Sequence, residues 1–168
     1  MRFNGLALVV SAVVLGACGG GDKGAAKPDS AVQAPPAAAA PTPAAPTVPA
    51  MPATGKTIEV KMNGDGTVYK FEPAVINVKV GDKIKFINST GGPHNVMFDA
   101  AEVPAAAKAQ LIANMANPNN LGELSGPMLG NPNEATEISF AGIPAGEYTV
   151  HCQPHLAMNM KATIKVTP

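Results

Sequence analysis

The sequence contains no tryptophan, two tyrosines, two cysteines and three histidines in 168 residues, and only 14% of its residues are charged. Twelve lysines and arginines balance twelve aspartates and glutamates, and neither sign forms a block. That balance excludes the basic patch a nucleic-acid partner requires and implies little long-range electrostatic steering. Two cysteines permit at most one disulfide. Three histidines are too few for several histidine-rich metal centres. No aromatic residue occurs between positions 19 and 55, so no core can form there. What is present instead is an N-terminal address, a proline and alanine tract, and a run of short alternating segments.

Arg2 and the short apolar segment Leu6–Leu15 read as a signal peptide covering residues 1–17. The sequence Leu15-Gly16-Ala17-Cys18 resembles a bacterial lipobox, in which cleavage before the cysteine leaves its thiol to be acylated. Cys18 would then be the lipidated first residue, holding the protein on a membrane at the exported, periplasmic or cell-envelope face. An ordinary signal peptide with an incidental cysteine is the blander reading. A disulfide between Cys18 and Cys152 ranks last, because one cysteine borders the signal and the other stands among imidazoles. Residues 18–55 are Gly-rich and then Pro/Ala-rich, a disordered tether. Recurring prolines oppose a helix, and extended polyproline geometry at ~3 Å per residue would reach on the order of 100 Å.

Residues 56–168 form the expected folded domain, large enough for one small core that a bound metal would stabilise further. Thr57–Met62, Val68–Phe71, Ala74–Val80 and Lys83–Asn88 alternate apolar and polar residues and are separated by Asn/Gly/Asp or Pro. This pattern predicts short strands in an antiparallel sandwich rather than β-α-β units. His94–Phe98 enters the next strand, Pro104–Ala116 predicts a short helix with Pro at its first turn, and the rest of the segment to Glu134 is a long connection. Ala135–Phe140, Glu147–Cys152 and Lys161–Val166 complete about eight strands. Met97, Met115 and Met128 lack a regular Met-x-x-Met spacing and read as gap-filling side chains.

The chemistry concentrates in Glu147–Met160, EYTVHCQPHLAMNM. Alternation puts Tyr148, Val150 and Cys152 on the inner face and His151 outside. The C-x-x-H turn returns His155 beside the thiol, and the thioethers Met158 and Met160 follow within five residues of it. A cysteine, two histidines and a weak axial methionine make the trigonal site of blue-copper electron-transfer proteins, since soft sulfur with imidazole suits both oxidation states of copper. His94, at a strand mouth, is the second imidazole. Pro154 stiffens the turn and has no N–H to offer the sulfur, which bears on the potential of such a site.

On these residues the domain resembles the cupredoxins of the plastocyanin/pseudoazurin group. IEVKMNGDG, FEPAVINVKVGDKIKFIN and YTVHCQPHLAMNM are similar to pseudoazurin, and GGPHNVMFDAAEVPA to the Pro-His-Asn segment of plastocyanin. The likeness spans about Thr57 to Val166, with Pro104–Pro132 matching poorly. It implies an all-β Greek-key β-sandwich, cupredoxin-like, holding one type 1 copper ion. The ligands it implies are His94, Cys152, His155 and Met160, with Asn95 supporting the cysteine-bearing loop. Met158 is the alternative axial ligand, at the spacing of the shorter amicyanin loop. His151 stands where plant plastocyanin has Tyr, plastocyanin's acidic docking patch is nearly absent, and pseudoazurin's terminal helices are missing, so partner identity does not carry over.

The function implied is one-electron shuttling between redox proteins, such as a cytochrome or a membrane electron-transfer complex, by weak transient docking of a monomer. Gly92, Pro93, Leu156, Ala157 and Met158 would form an apolar rim around the His155 edge. An envelope copper chaperone or buffer is the alternative, and dispersed methionines favour the carrier. An enzyme would require an open substrate position or a second metal.

Overall fold

Among the described residues the alternating segments become eight strands, β1 (Thr57–Gly64), β2 (Tyr69–Glu72), β3 (Val75–Lys79), β4 (Lys83–Asn88), β5 (Met97–Phe98), β6 (Ala135–Ser139), β7 (Gly146–His151) and β8 (Lys161–Thr167), with one α-helix, α1 (Ala105–Asn114). The structure, a computed structural model, describes residues 48–90, 92–117 and 121–168. The signal segment, Cys18 and most of the tether lie outside the described residues.

Two four-stranded sheets face one another, in the orders β2-β1-β4-β6 and β3-β8-β7-β5. Within each strand the inward positions are those the alternation marks: Val60 and Met62, Ile84 and Phe86, Ile138, Tyr148 and Val150, Ala162, Ile164 and Val166 are all buried. Phe71, Phe98 and Phe140 fill the space between them. Each such side chain contributes about 1.5–3 kcal/mol on leaving water, so this shared interior is the main source of stability.

The sheets are mixed rather than antiparallel. β1 runs parallel to β4, and β3 parallel to β8. The chain leaves the first sheet after β2, crosses to place β3 in the second, and returns as β4, so β3 acts as the crossover that parallel neighbours need. Side chains alternate identically in both kinds of pairing, so the pattern along one strand carries no sign of direction.

The connection from Asp99 to Glu134 is part of the wall of the sandwich. α1 buries Ala107 and Leu111, Met115 bridges to Ile138, and Ser125 and Leu129 form isolated bridges to Met97 and His94. The last residues of the segment read as tether are also held. Met51 N–H donates to Asn114 Oδ1 (2.8 Å), and Gln110 Nε2 donates to the Pro49 carbonyl (3.1 Å). The ordered body therefore begins before residue 56, because the side-chain amides of α1 receive a backbone that has no pattern of its own.

Register gives the sandwich two poles. At one, Thr57 pairs with Lys83 and Lys83 with Ser139; at the other, Met62 pairs with Asn88 and His151 with Met97. Asp82 closes the first pole, accepting from Lys56 N–H (2.7 Å) and Lys79 N–H (3.0 Å). Those two amide donors hold its carboxyl below its ordinary value of 3.8. A depressed carboxylate contributes stability above its unfolded value and loses it as pH falls through the folded one. Asp82→Asn is expected to lower the denaturation midpoint at pH 7 and to flatten the loss of stability below about pH 4, measured by urea titration across pH. Equal acid dependence in both proteins would contradict this role.

Candidate metal centre

At the other pole three buried donors converge. Cys152 directly follows β7, is fully buried, and caps a 3-10 turn, Gln153–Met158, that carries His155 back over it. Pro154 lies in the first turn of that segment, where the missing N–H costs nothing. His155 N–H donates to the Cys152 carbonyl (3.2 Å), Met160 N–H to the His155 carbonyl (3.2 Å) and Cys152 N–H to the Met160 carbonyl (3.1 Å). The loop thus closes on itself before β8 begins, with Asn159 in the left-handed region (φ 58°).

His94 reaches the same point from the connection between β4 and β5. It exchanges backbone hydrogen bonds with Leu129, 3.0 Å and 2.8 Å, and the buried Asn88 amide donates to the carbonyls of Gly92 (2.9 Å) and Leu129 (3.1 Å). The long connection thereby fixes the loop that presents His94. Asn95 ties that segment to the cysteine loop: its Oδ1 accepts from Gln153 N–H (2.8 Å) and its Nδ2 donates to Ser125 Oγ (3.1 Å).

Cys152 Sγ lies 3.6 Å from His94 Nδ1 and 3.3 Å from His155 Nδ1, and all three donor atoms fall within 4.8 Å of one another. Three ligands set trigonally about a first-row ion, at bond lengths of about 2.0–2.3 Å, stand roughly 3.5–3.8 Å apart. The spacing fits one metal ion, and the mixture of thiol and imidazole suits copper. Cys152 carries a free thiol. Burial pushes that thiol up, partly offset by the backbone N–H groups of Asn95 and His155. Burial pushes both histidines down, with His155 adding to the effect at His94. The imidazoles are thus held neutral, the form that binds metal, and binding must release the Cys152 proton.

The two methionines differ sharply: Met160 is 0% exposed and Met158 44%. Gly92, Pro93, Leu156 and Ala157 are exposed around this pole. His155, at 7%, is the donor with most access to solvent, whereas His94 and Cys152 have none. His151 is half-buried instead of exposed, flanked on the outer face by Met97 and Lys161.

Residues not anticipated from sequence also shape the site. Tyr69 stacks on His155 with ring centroids 3.8 Å apart and planes 13° from parallel. Gly64 lies directly across from Tyr69 in the β1–β2 pair. Asn88 and Ser125 complete the supports just described. Tyr69 was within reach of the sequence, since the Asn63–Gly66 turn pairs Gly64 with Tyr69 at the strand mouth. Ser125 had no local signal.

Residues 58–167 match the family described as copper binding proteins, plastocyanin/azurin family. The chain is 36% identical to a chloroplastic plastocyanin of Physcomitrium patens over 115 residues, 68% of this chain and 61% of the relative. It is 35% identical to a plastocyanin of Nostoc punctiforme over 114 residues, 68% of this chain and 76% of the relative. A solved structure of a mutant fern plastocyanin aligns over 66% of this chain and all of its own, with a TM-score of 0.53 and 27% identity.

Removing the Asn95 side chain strands the part-buried Gln153 N–H and takes a donor from the buried Ser125 hydroxyl, which keeps its own bond to the Gly126 carbonyl. Asn95→Ala is expected to destabilise the metal-free domain by about 1–3 kcal/mol, read by urea denaturation, and a cost near zero would show that the bridge between the two segments does not matter.

Proposed function

The chain belongs to the plastocyanin/azurin family of copper-binding proteins, and from that premise we propose that it is a one-electron carrier with a single type 1 copper site. The carrying observation is the buried triangle of His94 Nδ1, Cys152 Sγ and His155 Nδ1 at the spacing of three ligands to one ion. Copper, when bound there, supplies a one-electron couple between its two oxidation states.

The protein's own residues do the rest. Cys152 would hold the ion as thiolate, His94 and His155 as neutral imidazoles. Met160 would add a weak thioether donor: it is enclosed in the core at the end of the ligand loop, while Met158 is exposed. Asn95, Asn88 and the closed loop keep the donors in place, so that a change of charge at the site meets little rearrangement. Burial of His94 and Cys152 excludes water and leaves no open position for a substrate, which argues against an enzyme. It also argues against a chaperone, which must hand its metal over readily.

His155 is the exit for the electron, because it alone combines a metal-facing nitrogen with access to the surface. Gly92, Pro93, Leu156, Ala157 and Met158 form the uncharged rim on which a redox protein docks, briefly and over a small area. In the cell the carrier is exported and held at the envelope through lipidated Cys18, with residues 18–55 as the tether and the protein acting as a monomer. The lipobox-like Leu15–Cys18 supports this placement.

Absorption of the copper-loaded protein tests the reading. An intense blue thiolate-to-copper charge-transfer band, as expected of a copper site with a cysteine and two histidines, is expected in the wild type and absent in Cys152→Ser. Met160→Leu should shift the reduction potential strongly and Met158→Leu hardly at all. A colourless wild-type complex would rule out type 1 copper, and the reverse order of shifts would make Met158 the thioether donor.

A further inference from the structure

The Tyr69–His155 stack is the closest ring contact in the described structure. The His94 and His155 rings stand 4.7 Å apart at 50°, and Tyr69 and His94 6.1 Å apart at 55°. Only the Tyr69–His155 pair lies face to face. The hairpin from which Tyr69 projects is anchored to do this. Asp65 Oδ1 accepts from Thr67 N–H (2.8 Å) and Val68 N–H (2.6 Å), which stiffens the turn. Gly64 N–H donates to Thr90 Oγ1 (2.8 Å), in the loop that leads to His94.

Gly64 matters here for the space it leaves, not for its backbone. A Cβ at position 64 would lie 2.5 Å from Tyr69 Cδ1 and 2.6 Å from Cε1, closer than nonbonded atoms can approach, and 3.6 Å from His94 Nε2. The ring therefore occupies the room that a side chain would take and lies across the end of β1 onto His155. Two features distant in sequence, a glycine without a turn conformation and a half-buried tyrosine, make one device.

We infer that Tyr69 is a positioning residue for the metal centre: its ring fixes the plane of the His155 imidazole, keeping Nδ1 directed at Cys152 with or without metal. The inference rests on the copper reading of the site, and the stack itself can be tested without copper. Its face-to-face geometry restricts ring rotation and covers one side of the ligand from water. With copper bound, release of His155 would require disturbing this stack as well. Aromatic pairs of this kind typically change an equilibrium or a rate by roughly twofold to tenfold.

Four proteins decide it: wild type, Tyr69→Phe, Tyr69→Leu and Gly64→Ala. In NMR spectra of the metal-free protein, the His155 ring protons are expected at upfield positions in wild type and Tyr69→Phe, and to lose that ring-current shift in Tyr69→Leu and Gly64→Ala. In the copper-loaded proteins, transfer to a chelator should be about twofold to tenfold faster in the latter two, with the Phe variant matching wild type. Gly64→Ala retains the tyrosine and moves only its ring, so it decides the matter should Tyr69→Leu fail to fold. Equal proton shifts and equal release rates in folded variants would overturn the inference. If the wild type lacks the blue band but the ring-current pattern holds, the copper reading fails and the stack stands.

Discussion

Everything at this pole depends on keeping one thiol and two imidazoles together out of water. Each is costly to bury alone: desolvation disfavours the thiolate and both imidazolium ions. The structure meets that cost by holding the histidines neutral and aiming two backbone N–H groups at the sulfur. A metal cation shared by all three donors would stabilise the thiolate in place of the Cys152 proton. Folding thus prepares the site, and metal binding would in turn stabilise the fold, because the donors converge only in the folded chain.

Two layers of structure produce the convergence. The sandwich interior sets the register of β7 and delivers Cys152, while Tyr148, whose hydroxyl donates to the Pro144 carbonyl at 2.8 Å, pins the turn before that strand. The loops are then fastened to each other by polar side chains. Asn88 holds the His94 loop, Asn95 joins it to Gln153, and Tyr69 braces His155 from the opposite sheet. The apolar core gives the site its location, and the buried amides give it its shape. Asp82 closes the far pole in the same manner, with one carboxylate gathering two chain segments.

Much of this was legible in the residues. Strict alternation in Thr57–Met62, Lys83–Asn88 and Lys161–Val166 marked the strands and their inner faces correctly, because half-buried strands must alternate. The Cys-x-x-His spacing and His94 after a Gly-Pro turn pointed to the three donors. Strand direction was not legible, since parallel and antiparallel pairs share one side-chain period. Nor were the roles of Leu129 and Ser125, which depend on where an irregular connection happens to lie, or the anchoring of Pro49 and Met51, which depends on amides presented by α1. Tyr69 was read correctly as part of a strand, but its role opposite Gly64 becomes meaningful only when the hairpin is placed beside His155.

The most direct measurement is X-ray absorption at the copper edge of the loaded protein in both oxidation states. One close sulfur and two close nitrogen neighbours, retained on reduction and reoxidation, is the expected result for a centre formed by Cys152, His94 and His155. A shell of nitrogen and oxygen alone, or loss of the sulfur neighbour in either state, would contradict it.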